Sequence, residues 1–137
     1  MKNVLFLAAF VMISHAAISQ SIPKGALVGV HTFTVKLNGN TTQKQVEDFI
    51  NSKWIPASNA AYTCEAHMMK FVRGEAGKSK LGMIVIYKNE ATRNKYYGAD
   101  GKLNAGGKAA EAKMKAVNDE FAKLGTLSGG YTDWLVQ

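Results

Sequence analysis

The stretch Val28-Gly-Val-His-Thr-Phe-Thr-Val-Lys-Leu37 constrains the fold most. β-Branched and aromatic residues dominate it, and such side chains fit a pleated surface. Strand side chains alternate, so Val28, Val30, Thr32 and Thr34 share one face, and His31, Phe33, Val35 and Leu37 share the other. Both faces are largely uncharged, and both are expected to be covered. A strand covered twice sits centrally in a sheet, and the later elements must pack around it.

The segment before it reads differently. Lys2 supplies a positive start, Val4 to Ile13 is an almost unbroken apolar run, and Ala17 and Ser19 stand where small residues precede a cleavage point. This is the pattern of a secretory signal peptide, residues 1–19, removed before Gln20. The apolar run is too short for a bilayer span of about 20 residues, so no transmembrane segment is expected after cleavage. One domain, residues 20–137, then remains, long enough to bury a core without disulfides. Cys64, the single cysteine, cannot form an internal disulfide and reads as a small buried apolar residue. Export without a disulfide suggests a bacterial periplasm or the exterior. The formal charge of +7 is spread along the chain. That argues for a solvated basic surface and against a nucleic-acid partner.

Beyond the first strand, Asn38 to Thr41 is a turn cluster. Thr42 opens a helix, with Gln45 placed to close a capping box. Val46, Phe49, Ile50, Trp54 and Ala57 form its apolar stripe, and Pro56 should kink or end it near Ile55. Ala60 to Arg73 reads as a second strand, with Cys64, Ala66 and Met68 on one face and Glu65, His67, Met69 and Phe71 on the other. The turn-rich segment 74–79 reads as a hairpin loop. It lacks the spacing of a phosphate-binding loop, which excludes nucleotide binding by that motif. Leu81 to Lys88 is an almost wholly apolar third strand. Asn89 caps a short helix through Tyr97, ended by Gly98. A longer helix runs from Lys108 to Leu124, with Ala110, Met114, Val117, Phe121 and Leu124 buried and Gly125 just past its end. Thr126 to Val136 is the fourth strand, and Gly129-Gly130 within it suggests a bulge or a close approach by another backbone.

The order is β-α-β-β-α-β with the second helical region split in two, an α+β ferredoxin-like arrangement with a four-stranded antiparallel sheet. One helical layer covers one sheet face. Cover for the second face is expected from another copy, giving a homodimer.

The strand Val30-His-Thr-Phe-Thr-Val-Lys36, the helix Phe49-Ile-x-x-x-Trp-Ile-Pro56 and the step Ile84-Val-Ile-Tyr-Lys-Asn-Glu-Ala-Thr-Arg-x-x-Tyr96 carry a resemblance. Across Val28 to Val136 the chain resembles the dimeric α/β-barrel superfamily. That superfamily includes antibiotic-biosynthesis-type monooxygenases, stress-responsive barrel proteins and relatives of chlorite dismutase. It also looks like small exported proteins of Bacteroidetes-type bacteria. The resemblance implies that two protomers face their sheets together and enclose a cavity. His31 matches the position of a cavity-lining histidine in several stress-responsive-type members.

His15 leaves with the signal peptide, so His31 and His67 remain. They lack the third and fourth ligands of a closed zinc site, although Glu65 shares a face with His67, and no metal is expected. Neither histidine is marked as a haem ligand, and no cofactor is expected. Acid–base work by His31 is open, since histidine titrates near neutrality. Two functions stand side by side. One is a cavity for a small, partly apolar molecule, lined by His31, Phe33, Glu65, His67, Met69 and Trp134, with cofactor-free oxidation of an aromatic substrate as a special case. The other is a structural or interaction protein with a filled barrel. On this reading the histidine-bearing faces lie on the open side of the sheet, and Val28, Val30, Cys64, Ala66 and Met68 pack under the helices.

Overall fold

The structure is a computed structural model describing residues 21–73 and 80–137. The expected signal peptide and the expected loop 74–79 lie outside the described residues.

β1 (Leu27–Leu37) occupies the middle of an antiparallel sheet. It pairs with β3 (Lys80–Tyr87) on one side and with β4 (Gly125–Leu135) on the other, and β2 (Glu65–Lys70) flanks β3. The resulting order, β2-β3-β1-β4, is that of a ferredoxin-like fold, as the element order predicts.

The first helical run begins as expected. At Thr42, the Gln45 N–H donates to the threonine hydroxyl at 3.3 Å, and the Thr42 N–H donates to the Gln45 side-chain oxygen at 2.7 Å. This capping box satisfies two backbone donors that the first turn leaves free. The regular run is then interrupted beside Pro56, near Ile55 as expected. Helix α1 (Gln43–Phe49) passes into a π-helical turn, Ile50–Trp54, and continues as α2 (Ile55–Tyr62). Pro56 has no N–H to give Ser52 and would crowd that carbonyl in a regular helix. The wider turn, in which the Ile55 N–H reaches back to the Ile50 carbonyl, absorbs the misfit without ending the helix. Termination comes later, at Thr63, held in the left-handed region at φ 47°. The second strand therefore starts at Glu65, not Ala60.

Asn89 caps the short helix α3 (Glu90–Arg93), accepting from the Thr92 N–H at 2.8 Å. Asn104 caps α4 (Ala105–Leu124), which starts three residues earlier than the apolar stripe suggests. Ala110 and Met114 are buried, and Val117, Phe121 and Leu124 pack on the core beside them. Gly125 is extended (φ 172°) and opens β4 instead of forming a left-handed cap. The β1–β4 register runs unbroken from Leu27↔Leu135 to Leu37↔Gly125, so Gly129-Gly130 makes no bulge. Its reason is the close approach: a Cβ on Gly129 would collide with the Thr32 carbonyl oxygen.

Among the described residues the helices cover one sheet face only. On β3, Leu81, Met83, Val85 and Tyr87 are buried beneath them, while Ile84 and Ile86 on the other face are partly exposed. Pairing carries this polarity to the neighbouring strands. His31 lies opposite Met83 and Phe33 opposite Leu81, so both point at the helices. Val30 lies opposite Ile84 and points away. The expected assignment of β1 is therefore reversed: His31 and Phe33 face the helical layer, and Val28 and Val30 face the open side. On β2 the expectation holds, since Ala66 and Met68 pair with Val85 and Met83 on the helical side.

Candidate functional site

The reversal puts His31 inside the protomer. Its imidazole stacks on Phe33 and on Tyr131, with centroids 5.7 and 5.5 Å away and planes within 25°. The tyrosine comes from β4 by direct pairing, His31↔Tyr131. Burial holds the imidazole below its ordinary value of 6.5, against a smaller opposite pull from the Asp133 carboxylate. At neutral pH the ring is uncharged and offers one donor and one acceptor.

Two spaces meet at this ring. The larger, about 170 Å³, lies between sheet and helices. The sheet contributes His31, Met83, Val85 and Tyr87, and Trp54, Tyr62 and Met114 close it from above. The smaller, about 50 Å³, lies between Gly29, Arg93, Tyr131 and Asp133. His31, Tyr87 and Tyr97 line both.

A hydrogen-bonded chain stiffens the helical wall. The Trp54 indole N–H donates to Asn118 Oδ1 at 3.0 Å, and Asn118 Nδ2 donates to Glu111 Oε1 at 2.8 Å. The Tyr62 hydroxyl donates to Glu111 Oε2 at 2.9 Å. Trp54 is thus fixed in orientation by the apolar stripe and by its N–H together. Tyr62 also stacks on Tyr97 with centroids 6.0 Å apart. Burial raises the Tyr62 hydroxyl far above the ordinary tyrosine range, and the bond to Glu111 adds to this. Burial raises Tyr87 and Tyr97 as well. All three remain protonated at neutral pH and serve the cavity as hydroxyls, not phenolates.

The small space is polar. Arg93 is buried, with Nη2 3.3 Å from Asp133 Oδ2, Nη1 donating to the Gly98 carbonyl at 2.9 Å, and its guanidinium 4.9 Å from the Tyr97 ring centroid. Gly29 leaves a notch in β1: a Cβ there would lie 3.2 Å from His31 Nε2 and 3.3 Å from Asp133 Oδ1.

The six residues singled out in the sequence do not share one cavity. His31 and Phe33 are on the helical side. Glu65, His67 and Met69 pair with Ile86, Ile84 and Gly82 on the open face, where His67 Nε2 lies 2.8 Å from Glu65 Oε1. Trp134, opposite Val28, is also on the open face and 62% exposed. Sequence reasoning missed Tyr62, Tyr87, Arg93, Tyr97, Glu111 and Asp133. One signal was present: Tyr131 and Asp133 alternate onto the same face of the last strand. Cys64 is partly buried, and burial pushes its thiol up to about 11, which suits the inert packing role expected of it. Among the described residues no cluster of three metal-ligating side chains occurs, and no helix is long and apolar enough to cross a membrane.

Among solved structures the chain is similar to SnoaB, a cofactor-independent oxygenase from Streptomyces nogalater, at 11% identity and a TM-score of 0.41, over 79% of this chain and 91% of that one. This degree of likeness carries no inference about chemistry. No protein-family model matches the chain, and no curated protein matches it.

Proposed function

We propose that this protein is an exported, homodimeric binding protein whose helix–sheet cavity takes a small, partly apolar molecule beside His31. The cavity itself carries the reading. Its volume of about 170 Å³ is close to the ~150 Å³ of an apolar cavity that accepts benzene. A single aromatic ring is therefore the size of guest it suits. The walls give such a guest aromatic and methionine contacts, and His31 and the tyrosine hydroxyls give a polar substituent a partner. An uncharged His31 also offers a phenolic guest a lone pair to accept its hydrogen bond, the contact from which a cofactor-free monooxygenase-like reaction would begin.

Homodimerisation is supported by the sheet face left uncovered among the described residues. Val30, Ile84 and Ile86 lie half-exposed along its centre and Trp134 stands out at its edge. A specific dimer would bury about 1,200 Å² or more. Export is supported by the Lys2, Val4–Ile13, Ala17-x-Ser19 pattern, and intact mass from the native host should give a chain starting at or near Gln20.

The test is native mass spectrometry of residues 20–137 against a mixed library of small aromatics and aliphatics. Retention of single-ring aromatics supports the cavity. No retention across the library favours a structural or interaction protein.

A further inference from the structure

We propose that Asp133 is the positioning residue for His31: across the notch at Gly29 it holds the imidazole with Nε2 protonated, leaving Nδ1 as the lone pair available to a bound molecule. The geometry divides the carboxylate between two partners. Oδ2 faces Arg93 at 3.3 Å, and Oδ1 overhangs the bare Cα of Gly29 beside His31 Nε2. An ionised carboxylate only accepts hydrogen bonds. The nitrogen that shares the notch with it, linked to it through one water, is therefore the one that carries the proton. The small polar space at this point has room for such a water.

Each member of the arrangement is held from behind. Arg93 is fixed by the Gly98 carbonyl and the Tyr97 ring and pairs with Asp133 Oδ2. Tyr131 and Phe33 fix the plane of the imidazole. Other groups around His31 do not compete for the role. Tyr87, from β3, and Tyr97, from the turn after α3, stay protonated, as does Tyr62, from α2. Glu111, from α4, is taken by Tyr62 and Asn118. Arg93 is directed at the far oxygen of Asp133. The pull of Asp133 on His31 has the sign this arrangement requires, since it raises the imidazole against the effect of burial.

The use of Nδ1 rests on the cavity reading above, but the dyad is testable without a ligand. In ¹⁵N-labelled, unliganded protein, the His31 signals, identified by their loss in His31→Gln, should show the Nε2–H tautomer. Asp133→Asn should lower the His31 titration midpoint and admit the Nδ1–H tautomer. Gly29→Ala, which wedges a methyl group between the two polar atoms and changes no charge, should move both readouts in the same direction. It decides the matter if the Asp133 variant fails to fold. Unchanged tautomer and midpoint in the folded variants would overturn the proposal. Phenol binding to the wild-type protein, followed separately, tests the cavity reading, and its failure leaves the tautomer result standing.

Discussion

Trp54 and Asn118 join the π-helical turn to α4 through one hydrogen bond, indole N–H to Oδ1 at 3.0 Å. That bond fixes a large aromatic as a wall of the His31 cavity. Trp54→Phe keeps an aromatic ring and removes the donor. It should cost ~0.5–1.5 kcal/mol, read as a lower urea midpoint with an unchanged slope. Asn118→Ala frees the indole and leaves Glu111 with one partner fewer, so it should cost at least as much. No loss in either variant would mean that the chain from Trp54 to Glu111 does not support the wall.

His31 gives stability a pH dependence of known sign. Its pKa in the folded protein is depressed by burial from the ordinary 6.5. The unfolded chain therefore binds the proton more readily as pH falls. The contribution should be fully present above about pH 6.5, the unfolded value. It should decline as pH drops below that and level off once the folded value is passed. Urea titrations at pH 7.5 and 5 should show a smaller acid loss in His31→Gln than in the wild type. An equal loss in both would mean that His31 does not contribute.

Ile86 tests the open face. It lies opposite both Val28 and Glu65 and away from the helices. Ile86→Lys should leave the circular dichroism spectrum unchanged and halve the mass seen by light scattering at micromolar concentration. A monomeric wild type would contradict the facing-sheet dimer outright. A dimer that survives the substitution would place the interface elsewhere.

Much of this fold was legible because its signals are local. The Thr42–Gln45 box, the Ala110–Met114–Phe121 stripe and the apolar Leu81–Tyr87 run each declare an element within a few residues. Which face of β1 meets the helices was less legible, because alternation defines two faces without ranking them. Leu27 held the missing vote. It is buried, and with Phe33 and Val35 it makes the heavier apolar face, whereas Thr32 and Thr34 lighten the other. Starting the strand at Val28 hid that asymmetry and sent His31 to the wrong side. Pro56 announces a disturbance near Ile55, but nothing in the local sequence announces that a π-helical turn takes it up and lets the helix continue. The cavity wall was harder still. Tyr62, Glu111 and Asp133 come together only through helix packing and strand pairing between segments remote in the chain.

The most direct test of the account is a phenol titration of protein labelled at the methionine methyl carbons. Met83 and Met114 line the cavity, and Met69 lies on the open face as an internal control. The account predicts saturable shifts of Met83 and Met114 with one common binding constant, no shift of Met69, and loss or marked weakening of the response in His31→Ala. Shifts confined to Met69, or no saturable shift at Met83 and Met114, would contradict a binding cavity at His31.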